Sequence, residues 1–210
     1  MARNLGPVER LSRREGVDLE LKGLRRLSGK GALARRGAIP PGQHGQRRRK
    51  QSIYGQQLRE AQKAKRYYGV REKQFRRYFE TAASAGGEER TGDRLMSILE
   101  SRLDNVLVRL GLATTRAQAR QFIVHGHVRV NDGRVDIPSY LVRRDDVISI
   151  DPSASVAPLA TAARELTAVV PGWLDVSASG LGGRVMRAPL RDEIQVPVDD
   201  HLVVEWYRRA

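Results

Sequence analysis

Positive charge is crowded into one end of this chain. Residues 1–80 hold 22 lysines and arginines against 7 acids, whereas residues 81–210 hold 16 against 17. The whole formal excess of +14 therefore belongs to the first segment. Within residues 1–52, glycines at 6, 16, 23, 29, 31, 37, 42 and 45 and the pair Pro40-Pro41 interrupt every apolar run. Such a stretch buries little apolar surface by itself, and it is expected to be irregular and to order only against a partner. In Arg47-Arg48-Arg49-Lys50 four adjacent cations repel one another unless neutralised. Phosphate contact explains that run better than a solvated loop does, and Arg3, Arg13 and Arg14 belong to the same basic segment.

The remaining composition narrows the classes. Without cysteine there is no disulfide framework and no thiolate-bound zinc or iron–sulfur site. Apolar residues make up 40% of the chain, enough for a core. No apolar run is long enough to span a bilayer, and the N-terminus lacks the apolar centre of a signal peptide. The expectation is a soluble, cytoplasmic chain with a polyanionic partner. A membrane surface is the rival polyanion, but a membrane-bound basic helix needs a broad apolar face, and residues 10–50 show little of one, while their glycines and prolines argue against a long helix. Nucleic acid is the favoured partner, with no membrane contact.

Two helices follow the basic arm. Residues 53–68 carry Tyr54, Leu58, Ala61 and Tyr68 at helical spacing, with Gly69 as the stop and Arg59, Lys63 and Arg66 on another face. A second helix over about 71–84 has Phe75, Tyr78 and Phe79 as its stripe and Arg71, Lys73, Arg76 and Arg77 around it. The aromatics read as core, which leaves the cations outside as a phosphate-binding surface. Residues 85–92 read as a linker.

Residues 93–150 are the most self-consistent part. A single helix is expected from about 93 to 110, with Leu95, Ile98, Leu99, Leu103, Val106, Leu107 and Leu110 inward and Gly111 as its end. Thr115-Arg116-Ala117-Gln118 fits a capping box opening a helix to about 125. The period then changes to 2. A hairpin turning on Asp132-Gly133 would pair Val130 with Val135 and Val128 with Ile137. Another strand is expected at Val147–Ile150. Arg116 and Arg120 lie one helical turn apart, Gln121 adjoins them, and His125, His127 and Arg129 continue toward the strand. With Thr115 at the helix start, these residues form a candidate nucleic-acid face. Beyond Pro152 come a connector, a helix near 158–169, a strand starting at about Pro171, a turn at Gly180 with Gly182-Gly183, and an apolar tail ending in Trp206-Tyr207.

Catalytic and metal motifs fail. The four histidines lack the spacing of a metal site, Gly23 to Lys30 has the wrong spacing for a phosphate-binding loop, and no nucleophile elbow is present. No enzyme activity, metal or cofactor is expected.

Several segments in order resemble one known family. They are Pro41-Gly42-Gln43-His44-Gly45, Gln57-Leu58-Arg59-Glu60, Tyr68-Gly69-Val70-Arg71-Glu72-Lys73-Gln74-Phe75-Arg76-Arg77, Glu100-Ser101-Arg102-Leu103-Asp104-Asn105-Val106, Ala117-Gln118-Ala119-Arg120-Gln121 and His125 to Asn131. Together with Asp136-Ile137-Pro138-Ser139-Tyr140 and Glu205-Trp206-Tyr207, this series resembles the bacterial small-subunit ribosomal protein four family along nearly the whole chain. The resemblance implies an α+β fold: a basic N-terminal extension (1–52), a helical domain (53–92, completed by 185–210), and an inserted α/β RNA-binding module of two helices and a β-hairpin with its connector (93–184). It implies a ribosomal component that binds small-subunit ribosomal RNA early in assembly. Family members contact ribosomal protein five and, with it and protein twelve, influence decoding accuracy; some also repress their own messenger RNA. Carried over by position, the RNA contacts include Gln43, His44, Arg59, Lys63, Arg76, Arg77, Thr115, Arg116, Arg120, Gln121, His125 and His127. Many members hold an N-terminal zinc through cysteines, so this chain resembles the zinc-free branch. An RNA-modifying enzyme and a free regulatory factor are the alternatives; residues 151–210 are too short for a pseudouridine synthase domain. Charge reversal at Arg116 with Arg120 is expected to weaken RNA binding without unfolding the chain.

Overall fold

The computed structural model describes residues 6–47, 50–87, 89–166 and 169–209, without the side chains of Arg26 and Leu27. Arg3, Arg48 and Arg49 lie outside the described residues. The fold is mixed α and β, in two compact units. One comprises the residues up to Leu95 and those from Val196; the other is Met96–Gln195. These divisions fall later than the boundaries expected after residues 92 and 184.

The first unit begins with helices α1 (Val8–Glu15), α2 (Gly23–Leu27) and α3 (Ala32–Arg36). The basic extension is thus less irregular than its glycines suggest. Leu19 is fully buried, and the Ser12 hydroxyl accepts from the Leu19 N–H. Helix α4 (Ile53–Tyr68) starts at Ser52, whose hydroxyl accepts from the Gly55 N–H. It ends at Gly69 in the left-handed conformation (φ 60°), whose N–H and that of Val70 return to the last turn. Its buried face is Gln57, Ala61, Ala64, Tyr67 and Tyr68, not the expected stripe in full: Tyr54 is exposed and meets Trp206 edge-on at 4.9 Å. Helix α5 (Glu72–Ser84) buries Phe75, Tyr78, Phe79 and Ala82 as expected. Phe75 and Phe79 stack on Tyr207 of the C-terminal helix, described below. Asp200 of that helix occupies the space a side chain at Gly92 would need.

The helix expected over 93–110 is two. Helix α6 (Thr91–Glu100) stops, Arg102 is extended (ψ 135°), and α7 (Leu103–Arg109) starts afresh. Tertiary hydrogen bonds override the continuous apolar period: the Leu103 and Asp104 N–H groups donate to Tyr140 and Pro138, and Val142 N–H donates to Ser101. The residues at this break close onto the segment after the hairpin.

Helix α8 (Arg116–Val124) follows, capped by Thr115, which accepts from the Gln118 N–H at 3.2 Å. Only half of the capping box forms, because the Gln118 side chain accepts from the Thr114 N–H and hydroxyl instead. Strands β1 (Val128–Val130), β2 (Gly133–Arg134), β3 (Val147–Ile150), β4 (Leu174–Val176) and β5 (Gly182–Val185) make one antiparallel sheet in the order β2-β1-β3-β5-β4; helix α9 (Ala157–Glu165) lies between β3 and β4 in the chain. The hairpin is therefore one edge of a larger sheet, and its register differs from expectation. Val130 pairs with Gly133 and Arg129 with Arg134, so the turn is Asn131-Asp132, both left-handed (φ 51° and 65°). Asn131 donates to Asp146 at 2.8 Å and accepts from the Val147 N–H, which fixes the turn one residue earlier than Asp132-Gly133. The Val135 N–H donates to Val128, so the apolar face is kept. Gly182 and Gly183 are strand residues, not a turn. A side chain on either would collide with a neighbouring strand's backbone, at the carbonyls of Ile148 and Asp175.

Leu103, Val106, Leu107, Leu110, Phe122, Ile123, Val128, Ile148 and Trp173 form the core under this sheet. After a 3₁₀ turn at Arg191–Glu193, helix α10 (Asp200–Arg209) packs on α4 and α5 in the first unit. Among the described residues no helix is long and apolar enough to cross a membrane.

Leu107 is fully buried and Leu159 is half exposed. Leu107→Ala is expected to cost about 2–5 kcal/mol and Leu159→Ala no more than about 0.5 kcal/mol in urea unfolding. Similar losses from both would contradict the placement of the core.

Candidate nucleic-acid interface

The acids of the basic half are nearly all engaged internally. Glu15, with its side chain 1% exposed, holds Arg59 at 3.0 Å and also Arg66, which ties α1 to α4. Burial pushes the Glu15 carboxyl above its usual value in spite of both guanidiniums, and burial likewise lowers the Arg59 guanidinium. Glu20 accepts from the Tyr67 hydroxyl at 2.7 Å. Glu9 pairs with Arg25. Glu60 pairs with Lys63 and accepts from the Asp199 N–H. Glu72 pairs with Lys65 and accepts from the Tyr207 hydroxyl at 2.9 Å. Burial would raise the Glu72 carboxyl, but these two donors and the charges of Lys65 and Arg76 hold it below its usual range. Burial and the Glu72 contact together push the Tyr207 hydroxyl upward.

Arg59, Lys63 and Arg66, expected to face phosphate, are therefore partly buried ion-pair partners of Glu15 and Glu60. They are scaffold residues first. The cations left exposed without an ion pair among the described residues include Arg10, Arg14, Lys22, Lys30, Arg35, Arg36, Arg47, Lys50, Arg71, Lys73, Arg76 and Arg77. Arg71, Lys73, Arg76 and Arg77 sit at and along α5, away from its buried aromatic stripe. Gln43 and His44 are exposed in the turn before α4. Arg13 donates to the Ile39 carbonyl.

In the second unit the same division appears. Asp104 is fully buried and receives both Arg102 (Nη2 to Oδ2, 2.9 Å) and Arg120 (Nε to Oδ2, 2.6 Å). Glu100 is also buried; it takes a two-point bond from Arg109 and accepts from the Asn105 amide, while Asn105 Oδ1 accepts from Arg116 Nε at 2.8 Å. Arg116 is only 4% exposed. The expectation that Arg116 and Arg120 form an open face is thereby corrected. Helical spacing could not distinguish an inward from an outward arginine; the buried Asp104 draws Arg120 inward, and Asn105, itself held by Glu100, draws Arg116. Reversing their charge would oppose Asp104 and strand Asn105, so it would damage the fold as well as any binding.

Gln121, His125 and Arg129 are exposed and His127 is half-buried; the two imidazoles are 6.2 Å apart, centre to centre. Arg134, Arg143 and Arg144 are exposed too and were missed from the sequence. Arg143-Arg144 is followed by Asp145-Asp146, so a charge count passes over it. Arg134 reads as a turn residue unless the register is known.

These geometries accord with matches to known proteins. A family model described as the ribosomal protein S4/S9 N-terminal domain matches residues 3–100, and an S4 domain model matches residues 101–148. The chain is 52% identical to the small ribosomal subunit protein uS4A of Symbiobacterium thermophilum, 51% to uS4 of Halothermothrix orenii and 50% to uS4 of Acetivibrio thermocellus. Each alignment covers the full length of both partners.

Two outcomes follow from the buried pairs. Arg120→Glu is expected to destabilise the chain by roughly 3 kcal/mol or more in urea titration, because it breaks a buried pair and adds repulsion at Asp104. An unchanged midpoint would show that the pair does not hold the fold. Folding raises the Glu15 carboxyl, so its stabilising contribution is present below the ordinary glutamate value and is lost as pH climbs through the folded value. As pH rises above the ordinary glutamate value, thermal stability is expected to shift against the parent chain relative to Glu15→Gln; a constant difference would count against the raised value.

Proposed function

The chain belongs to the ribosomal protein S4 family, and from that premise we propose that it grips folded small-subunit ribosomal RNA through the cations its own acids leave exposed. As a member of that family it is a structural, RNA-binding component of the small ribosomal subunit and not an enzyme, working in the cytoplasm where bacterial ribosomes are. The observation that carries the proposal is the contrast on α4 and α5. Arg59 and Arg66 are tied to Glu15, whereas Arg71, Lys73, Arg76 and Arg77 have no ion pair among the described residues and are exposed. Such cations gain free energy when they displace counterions from a phosphate backbone. Gln43, His44, Arg47, Lys50, Thr115, Gln121, His125, His127 and Arg129 are the remaining contacts we assign, with Arg3, Arg13, Arg14, Arg48 and Arg49 as candidates in the basic extension. Arg59, Lys63, Arg66, Arg116 and Arg120 support the contact surface from within. The extension, the helical domain and the sheet-bearing module serve as three regions of RNA contact, and shape outweighs base sequence in recognition.

The family resemblance supports finer roles. Early binding that nucleates assembly of the subunit body fits a chain that brings its own folded scaffold and needs only phosphate to neutralise it. Contact with ribosomal protein five, an influence on decoding accuracy shared with protein twelve, and binding of its own message are further parts of the proposal.

Binding of the full chain to small-subunit ribosomal RNA should fall steeply with salt. Replacing Arg71, Lys73, Arg76 and Arg77 together by Gln is expected to flatten the plot of log affinity against log salt by roughly 3–4 units, with the thermal midpoint unchanged. A slope equal to the parent's in filter binding would remove α5 from the interface.

A further inference from the structure

The hairpin sets two arginines against each other. Arg129 of β1 and Arg134 of β2 are direct cross-strand partners, and both are exposed. Side chains so placed stand on one face with Cβ atoms about 4.5–5.5 Å apart, and like charges there destabilise the pair. Nothing nearby cancels the charge well. Arg129 donates to the Asp132 carbonyl, and its nearest carboxylate, on Asp151, is at 3.8 Å with both side chains about half exposed. Arg134 has no ion pair among the described residues; its guanidinium lies over Gly126 instead. Gly126 ends the turn after α8 in the left-handed conformation (φ 76°), between His125 and His127, and a Cβ there would overlap the Arg134 guanidinium at Nε, Cζ and Nη2. The absent side chain leaves the flat guanidinium the space it occupies over the backbone. On the other side of Arg129, the same row continues to the half-buried Ser149 of β3, a small hydroxyl donor.

An exposed like-charged pair, whose one internal carboxylate contact is the long, half-exposed pairing of Arg129 with Asp151, suits a bound anion. We propose that Arg129 and Arg134 form a two-arginine clamp on a single RNA phosphate, with Gly126 as the platform that orients Arg134. This rests on the RNA-binding reading above and assigns a phosphate site within it. Two planar forks reach the non-bridging oxygens of one phosphodiester from opposite sides, and the bound anion cancels the cross-strand repulsion. Lysine would supply the charge without the fork.

The number of phosphates neutralised sets the salt slope, so the slope separates a shared phosphate from two separate ones. The full chain is titrated with small-subunit ribosomal RNA in filter binding at several salt concentrations, as parent, Arg129→Gln, Arg134→Gln, the double variant, and the Arg129→Lys with Arg134→Lys variant. Each single variant is expected to lose about tenfold in affinity with little change of slope, because the other arginine still neutralises the phosphate. The double variant is expected to lower the slope by about one unit, and the lysine pair to keep the slope but not the affinity. Thermal midpoints of the Gln variants should equal or exceed the parent's, since a repulsion is removed. Gly126→Ala should weaken binding in the parent and not further in Arg134→Gln. Single variants that each lower the slope by about one unit would show two phosphates and overturn the clamp, as would parent-like affinity in the double variant or falling midpoints that mark a structural role. If the parent itself binds this RNA without salt dependence, the RNA reading falls rather than the clamp alone.

Discussion

Carboxylates turned back onto the chain hold this cationic protein together. In the first unit Glu15 joins α1 to α4 through two arginines, Glu60 joins α4 to the segment before α10, and Glu72 joins α5 to α10 through Tyr207. In the second, Glu100 and Asp104 fix the start of α7 against Arg109, Asn105 and Arg120, and Asp146 fixes the hairpin turn through Asn131. Glu15, Glu60 and Glu72 bridge parts of the chain that are distant in sequence, and Glu100 closes a local one; each converts polar or cationic groups into a specific contact. Desolvation makes these contacts costly in isolation, as the raised Glu15 carboxyl and the lowered Arg59 guanidinium both show. Their value lies in determining which cations face inward.

That sorting decides function. An arginine bonded to a buried carboxylate is already neutralised and gains little from a phosphate. One without such a partner gains the whole release of counterions. Arg116 and Arg76 have the same chemistry and both lie on helices, yet Asn105 and the acids near it draw the first into the core while the second stays in water. The interface is thus defined as much by where the acids lie as by where the cations lie.

Much of the fold was legible in the sequence where local signals agree with tertiary packing. The aromatic stripe at Phe75, Tyr78 and Phe79, the stop at Gly69 and the strand at Val147–Ile150 all stand where periodicity puts them. Failures came where distant partners override local preference. The apolar period runs unbroken through residue 101, but Tyr140, Pro138 and Val142 take the backbone groups there and split the helix. Asp132-Gly133 is a good turn by composition; Asp146, fifteen residues beyond Asn131, selects Asn131-Asp132 instead. The first helix of the extension was hidden because glycine count says nothing of Glu15, whose reach to Arg59 and Arg66 ties it to α4. For the candidate site, exposed residues such as Gln121 and His125 were readable, whereas the inward turn of Arg116 and Arg120 depends on Asn105 and Asp104, whose burial no spacing reveals.

The two kinds of arginine also divide the tolerance of the chain to change. A buried cation such as Arg116 or Arg102 leaves an uncompensated acid or amide behind when removed, so its loss is felt in stability. An exposed cation held close to a like charge, as Arg129 is by Arg134, costs stability while it remains and is retained only if something outside the chain answers it. Stability and RNA affinity should therefore respond to different residues, and a position that lowers affinity while leaving or raising stability marks the true contact surface. Substitutions that lower both at once report on the carboxylate scaffold beneath it.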